Sequence, residues 1–289
     1  MKLTGRRVLI TGASRGFGFA VAQAMVKAGA DIALCGRNEN SLAKAQQLLS
    51  AENRSSKIIY TVADVAVPQD VAKFVGNAIE QMGGIDVAIT NAGIYGTKGP
   101  LETVDWQQWS DAIDINLKGS VLICKTVLPY LKAQRYGKII MLSGGGATKP
   151  MPYLSAYAAS KAAVVRFAET LAGEVADYGI DVNALAPGAL NTAMLEEVLA
   201  AGPEKVGQNF YDQLLKQKQQ GGESLEKGAA LCVYLASAES DGISGKLISA
   251  IWDPWKSLNH YKKELQNSDI YTLRRIIPSD RGLVLDDKS

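Results

Sequence analysis

Seven short apolar runs, each separated from the next by a longer stretch, constrain this chain more than any other feature. The runs are RVLIT ending at Thr11, DIALCG at 31–36, KIIYTVAD at 57–64, DVAITNAG at 86–93, KIIMLS at 138–143, DVNALAP at 181–187 and KLISAI at 246–251. Most are unbroken and rich in Val, Ile and Leu, the pattern of strands buried on both faces. Between them apolar residues recur at helical spacing, as at 19–28 and 71–82, and over long spans at 109–132 and 155–178. Regular strand–helix alternation predicts an α/β fold: one doubly wound domain, a seven-stranded parallel sheet with helices on both faces.

The chain has 289 residues, 47% of them apolar and 21% charged, which suits one soluble domain with a sizeable core. A net charge of +2 argues against nucleic acid or an anionic membrane as the main partner. Cys35, Cys124 and Cys232 lie far apart inside apolar runs and read as buried thiols, which fits a reducing compartment. The N-terminus runs straight into a strand without a signal-peptide pattern, and no apolar run spans a bilayer, so a cytoplasmic location is expected. No metal site is expected, since the single histidine, His260, has no clustered cysteine or acid.

Two regions break the rhythm. Residues 191–222 insert helical material after the sixth strand, and 252–289 follow the last strand without a new α/β unit. The expected organisation is a nucleotide-binding domain at 1–251, with 191–222 as a substrate-loop insert, followed by a C-terminal extension at 252–289.

TGASRGFG at 11–18 follows the first strand and opens the first helix. Gly12 allows a tight turn, Gly16 a close backbone approach to phosphate, and Gly18 close helix–strand packing. The helix N-terminus then presents free N–H groups to a pyrophosphate. Glycines collect in turns anyway, but strand–turn–helix is the context a dinucleotide site requires. The second strand ends in CGRN, with Arg37 and no acid before Glu39; Arg15 lies in the glycine loop. A carboxylate there would repel a ribose 2′-phosphate and two guanidiniums would attract it, so NADP(H) is expected over NAD(H). The plainer alternative is a pair of solvated surface arginines.

Tyr157 and Lys161 stand four residues apart, on one face of a helix. A tyrosine titrates near pH 10, too high for efficient proton transfer at neutral pH, and an adjacent ammonium, together with the positive nicotinamide ring of an oxidised cofactor, is expected to lower it. Tyr157 then serves as general acid in carbonyl reduction or general base in alcohol oxidation, with hydride carried by a nicotinamide. The alternative is an ordinary helix face.

TGxxxGxG at 11–18, NAG at 91–93, Asn116 in DINLKGS, YAASK at 157–161 and PGALNT at 187–192 together resemble the short-chain dehydrogenase/reductase family over about residues 2–251. The resemblance implies that Lys161 also hydrogen-bonds the nicotinamide ribose and that Asn116 orders a water in a proton relay. It implies adenine contact at Asp64 and Val65, and an adenosine-side wall at Asn91, Ala92 and Gly93. Further cofactor contacts are implied at Gly12, Ser14, Arg15, Gly16, Phe17, Gly18, Arg37, Pro187 and Gly188, with Thr192 at the carboxamide. Asp64 and Thr192 read equally as helix caps, and 91–93 as a tight turn. A homotetramer or homodimer through the two long helices is implied as well.

The family places a serine thirteen residues before the tyrosine, a position held here by Gly144; Ser143 is one step earlier. Ser143 can take the role if the strand end re-aims it, a backbone N–H of Gly144–Gly146 can polarise the carbonyl, or the site binds cofactor and turns over poorly. The family also often closes its last strand with a Val-Asp-Gly-Gly-like turn, whereas this chain has SAIWDPWK, where Trp252 and Trp255 either anchor the tail or serve a substrate or interface. Met151, Tyr153, Leu154, Met194, Leu195, Phe210 and Tyr211 are expected as an apolar–aromatic substrate wall. The leading expectation is an NADP(H)-dependent oxidoreductase acting on a carbonyl or secondary alcohol. Its rivals are a cofactor-binding protein of the same fold with little turnover, and a nucleotide-sugar enzyme of the extended class, which the TGxxxGxG spacing disfavours.

Overall fold

The computed structural model describes residues 2–284. The strands β1 (Arg7–Thr11), β2 (Asp31–Gly36), β3 (Ile58–Val62), β4 (Val87–Thr90), β5 (Gly137–Leu142), β6 (Ile180–Ala186) and β7 (Leu247–Ser249) form one sheet in the order β3-β2-β1-β4-β5-β6-β7. Every neighbouring pair is parallel. The order reverses between β1 and β4, and in such sheets ligands bind outside the carboxyl ends of the strands at that switch point.

Alternate strand residues feed two cores. Ile140 and Leu142 pack with α1 (Gly16–Lys27) and α10 (Leu225–Ala236) on one face; Ile139 and Met141 pack with α3 (Pro68–Met82), α5 (Gly119–Gln134) and α6 (Ser155–Val175) on the other. Burial on both faces explains why the strands read as unbroken apolar runs. All three cysteines are free and buried in these cores.

Helices begin earlier than apolar spacing indicates because their first turns hold glycine, proline or polar residues outside the apolar pattern. Pro68 occupies the first turn of α3, and left-handed Gly83 ends it. Asn38 caps α2 (Glu39–Glu52) by accepting the Ser41 N–H at 2.8 Å, and Asp105 caps α4 (Trp106–Ile113) by accepting the Gln108 N–H at 2.8 Å. The stretch expected as one helix over 109–132 is α4 and α5 joined by a π-turn at Asp114–Lys118. π-Turns in helices often mark functional sites, and Asn116 lies in this one.

The insert folds as α7 (Ala193–Ala201), α8 (Pro203–Val206) and α9 (Gln208–Gln220), with a small core of Leu195, Val198, Val206 and Leu214. The extension is docked on the body. Trp255, Leu258, Leu265 of α11 (Lys262–Gln266) and Tyr271 pack on the α1/α10 core, and Leu273 packs on the opposite core. The Leu247 N–H donates to the Tyr271 carbonyl at 2.8 Å, and the Lys246 ammonium to the Ser268 carbonyl at 2.9 Å. The strap thus satisfies the β7 edge that an open sheet would expose. Residues 285–289 of the extension lie outside the described residues.

Candidate active site

The glycine loop is built as its spacing indicates. Gly12 (φ 64°) and Gly16 (φ 59°) take left-handed conformations. A side chain on Gly18 would collide with the Asn91 amide and the Gly12 carbonyl, so that glycine sets the close helix–strand approach. Above Gly16 the space is open. An extended backbone at Arg15 leads into the α1 N-terminus, and no side chain caps it. Left-handed glycines, open space and uncapped N–H groups fit a dinucleotide pyrophosphate.

The expected cofactor contacts divide into two sets. Ser14 borders Gly36, and Arg15 and Arg37 are exposed at the same edge; the Arg37 guanidinium is 3.9 Å from the Asp64 carboxylate. Asp64 is not a helix cap, since α3 starts after Val67; its carboxylate accepts the Ala66 N–H at 2.9 Å. Phe17 and Val65 are core side chains, against Gly228 and Gly119, so only their backbones can face a cofactor. Asn91 also has an internal role: its amide donates to the Thr11 and Gly12 carbonyls at 2.9 and 3.1 Å and locks the glycine loop to β4. Ala92 and Gly93 line the gap between that loop and Asn116. Pro187 and left-handed Gly188 follow β6, and Thr192 precedes α7 without a side-chain cap bond.

Tyr157 and Lys161 come together with Asn116 at the carboxyl end of β4 and β5. Lys161 is buried and donates to the Leu142 carbonyl at 2.8 Å; its ammonium lies 5.8 Å from the centre of the Tyr157 ring. Asn116 accepts the Ile94 N–H at 2.8 Å and donates to the Ile94 carbonyl and the Ser160 hydroxyl, both at 2.9 Å. Those bonds fix the NAG loop and leave the side chain little capacity for the expected water. Its main-chain carbonyl, in the π-turn, accepts the Ser120 hydroxyl at 2.8 Å.

In the protein without cofactor, burial dominates the electrostatics of the pair. Burial pushes the Tyr157 hydroxyl up, with a smaller push from Tyr95, and does not lower it. The same burial brings Lys161 down to about 8. In the protein alone, desolvation outweighs the attraction between this tyrosine and its lysine.

Gly144 has fully extended backbone (φ −169°, ψ 174°), which any residue can adopt, so conformation does not explain the glycine. Contact does. A Cβ there would overlap the Tyr157 hydroxyl oxygen and lie 3.1 Å from the ring carbon bearing it. Gly146 is likewise pressed on Ala158 of α6, whereas Gly145 faces open space. Ser143 follows β5, its N–H extending the ladder to the Leu185 carbonyl at 2.8 Å. By strand alternation it shares the α6-covered face with Met141, and its hydroxyl is buried with no hydrogen-bond partner among the described residues.

The expected substrate wall is partly core. Leu154 is fully buried and Leu195 belongs to the small core of the insert, with Phe210 and Tyr211 packed against it; Tyr153 is exposed. Tyr95 was not singled out by the sequence, yet its ring centre lies 4.5 Å from that of Tyr157, tilted 51°, and it joins the insert's core. Its place two residues after the NAG turn was the available signal. The two tryptophans of the extension separate: Trp255 packs beside Tyr234 at 5.7 Å between ring centres, while Trp252 is 84% exposed.

Fold and site together define an oxidoreductase of the dinucleotide-binding, doubly wound class. Residues 6–202 match the family model described as short chain dehydrogenase. Gluconate 5-dehydrogenase of Gluconobacter oxydans is 32% identical over 250 residues, covering 85% of this chain and 93% of that protein. An NAD+-bound xylitol dehydrogenase structure superposes with a TM-score of 0.79 at 25% identity, covering 86% of this chain and 98% of that one. A gluconate 5-dehydrogenase from Burkholderia cenocepacia, in complex with NADP and tartrate, gives 0.76 at 29% identity, covering 86% and 94%. The chain belongs to the short-chain dehydrogenase family.

Proposed function

We propose that the protein is an NADP(H)-dependent oxidoreductase acting on a carbonyl or secondary-alcohol group of a small molecule. The observation that carries this reading is the buried Tyr157–Lys161 pair beside an open glycine cradle. Gly12, Ser14, Arg15, Gly16 and Gly18, with Arg37, Asn91, Ala92, Gly93, Gly188 and Thr192, would hold the dinucleotide, which when bound would supply the hydride in its reduced form and a positive ring charge in its oxidised form.

Tyr157 holds the proton at its hydroxyl and gives it to the substrate oxygen in reduction, or takes it in oxidation. The buried Lys161 ammonium favours the phenolate form against the desolvation that opposes it. Asn116 keeps the NAG loop against the site, and the Ser143 hydroxyl supports the substrate-oxygen side of Tyr157, where residue 144 has no side chain. The exposed Arg37 and the lack of a carboxylate at the end of β2 support NADP(H), as do Arg15 in the glycine loop and the relative crystallised with NADP; the NAD+-bound relative marks the alternative. Sugar and sugar-acid dehydrogenases among the relatives support a polar small-molecule substrate. A homodimer or homotetramer through α4–α5 and α6 remains part of the reading, supported by the exposed Trp106 stacked at 5.3 Å on Trp109.

The test is turnover of a carbonyl panel with NADPH by wild type and Tyr157→Phe. Loss of about 10²–10⁴-fold in kcat with NADPH binding retained is expected. A wild type inert across sugar, acyl and aromatic carbonyls, yet stabilised by NADPH, would move the protein to the rival reading, a cofactor-binding protein with little turnover.

A further inference from the structure

Beyond Tyr95, the loop after β4, the start of α4 and the helices α7 and α8 border an open cavity of about 520 Å³. It starts beside the catalytic helix: a Cβ on Gly96, in its wall, would lie 3.7 Å from that of Ala156, the residue before Tyr157. Four charged residues line it: Lys98, Asp105, Glu197 and Lys205.

Lys98 is poorly compensated for its burial. Its side chain is only 16% exposed, yet its ammonium has the Gly96 carbonyl at 3.2 Å and the Glu197 carboxylate at 4.0 Å, the outer limit of an ion pair. Glu197 is itself 52% exposed and so largely solvated. Elsewhere in this protein the buried Lys138 is held by Asp181 at 2.6 Å and Asp241 at 2.7 Å, the close pairing a buried charge requires. Asp105 caps α4 through one carboxylate oxygen and makes no ion pair with Lys98 among the described residues. Lys205 adds a second positive charge from α8 and has no ion pair among the described residues.

We propose that this cavity is the anion-recognising arm of the substrate site. The substrate carries an oxyanion, a carboxylate or a phosphate, on the part remote from its reacting carbon. That group takes Lys98 at close range, with Lys205 flanking, and displaces Glu197. This deepens the oxidoreductase reading and rests on it for the position of the reacting carbon.

The experiment compares keto acids with their methyl esters, and keto phosphates with the parent alcohols, by kcat/KM with NADPH. Wild type should prefer the anionic member at least tenfold, and the better series tells carboxylate from phosphate. Lys98→Met should bring the ratio towards one, Lys98→Arg should keep it, and Glu197→Gln should raise it several-fold by removing the competing carboxylate. A purely structural Lys98–Glu197 contact predicts no rise in Glu197→Gln. A wild-type ratio near one, or a ratio unchanged in Lys98→Met, would overturn the proposal while leaving the dehydrogenase reading intact. If neither series turns over, the kinetic ratio cannot be read, and the dehydrogenase reading itself falls only if the wild type is also inert on the sugar, acyl and aromatic carbonyls. Thermal shifts of NADPH-loaded protein by glutarate and by inorganic phosphate then decide alone. A shift lost in Lys98→Met supports the arm, and no shift, or an equal one in the variant, refutes it. Should Lys98→Met not fold, Glu197→Gln and Lys98→Arg give the same decision.

Discussion

The Tyr157 hydroxyl lies against the α-carbon of Gly144, in the volume that any side chain at position 144 would need. The family serine and this placement of the tyrosine exclude each other. Restoring the serine should therefore not restore a better site. Gly144→Ser must push the phenol aside, and a displacement of about 1 Å in a reacting group costs on the order of 10²-fold in rate. The expected result is a fall in kcat of that order, measured with any carbonyl the wild type reduces. A gain in kcat would show that Tyr157 moves readily and that the close contact is not the working arrangement.

Arg37 stands 69% exposed at the end of β2, its guanidinium 3.9 Å from Asp64, and no carboxylate occupies the strand end itself. A 2′-phosphate can take a charge-assisted bond from it that a ribose hydroxyl cannot match. NADPH should raise the melting temperature more than NADH at equal concentration, since the ligand that binds the folded state more tightly stabilises it more. Arg37→Ala should weaken NADPH about tenfold or more while scarcely changing NADH, as expected for one hydrogen bond to a charged group. Equal shifts by both cofactors in the wild type would remove the argument from the arginines.

The sheet was legible because its strands are buried on both faces, so that their number and parallel direction follow from unbroken apolar runs and long crossovers, while their order came only with the structure. The glycine loop and the Tyr157–Lys161 pair were legible because local spacing determines them. What could not be read depends on contacts between distant segments. Tyr95 meets Tyr157 across 62 positions, and Asn116 spends its side chain on Ile94 and Ser160. The burial that raises the Tyr157 hydroxyl in the protein alone is not visible in the sequence, whereas its charge partner is.

Lys161 gives a pH-dependent test of that burial. Its ordinary value is 10.5, and burial brings it to about 8 in the folded protein without cofactor. Between these values the unfolded chain keeps a proton that the folded chain has released, so raising the pH favours folding. The burden on stability, on the order of 3 kcal/mol, is complete below pH 8 and fades towards pH 10.5. Lys161→Met removes it. The unfolding free energy of the variant relative to wild type should be most favourable at pH 7 and decline from pH 8 upwards. Denaturant titrations from pH 7 to 10 check this, and a difference that stays level across that range would contradict a buried lysine of lowered pKa.

The extension behaves as part of the core, a role its mixed-charge sequence conceals. Leu258 is 3% exposed and Leu265 4%, both packed on the α1/α10 core, and the segment between β7 and Leu273 is fastened at several points. The Asp253 carboxylate accepts the Ser249 N–H at 2.6 Å, the Trp255 indole donates to the Ala250 carbonyl at 3.3 Å, and the Leu273 N–H donates to the Glu169 carboxylate at 2.6 Å. A loosely attached arm would tolerate truncation of its leucines; a core element would not, because a cavity adds to the lost transfer energy. Leu258→Ala should therefore cost about 2–5 kcal/mol, the range for buried leucines. Lys263→Ala, at an exposed position of α11, should change stability by no more than about 0.5 kcal/mol. Urea unfolding of the two variants separates the cases. A Leu258→Ala protein as stable as wild type would mean that the extension adds nothing to the fold. Its place over the β7 edge would then need another explanation than core packing.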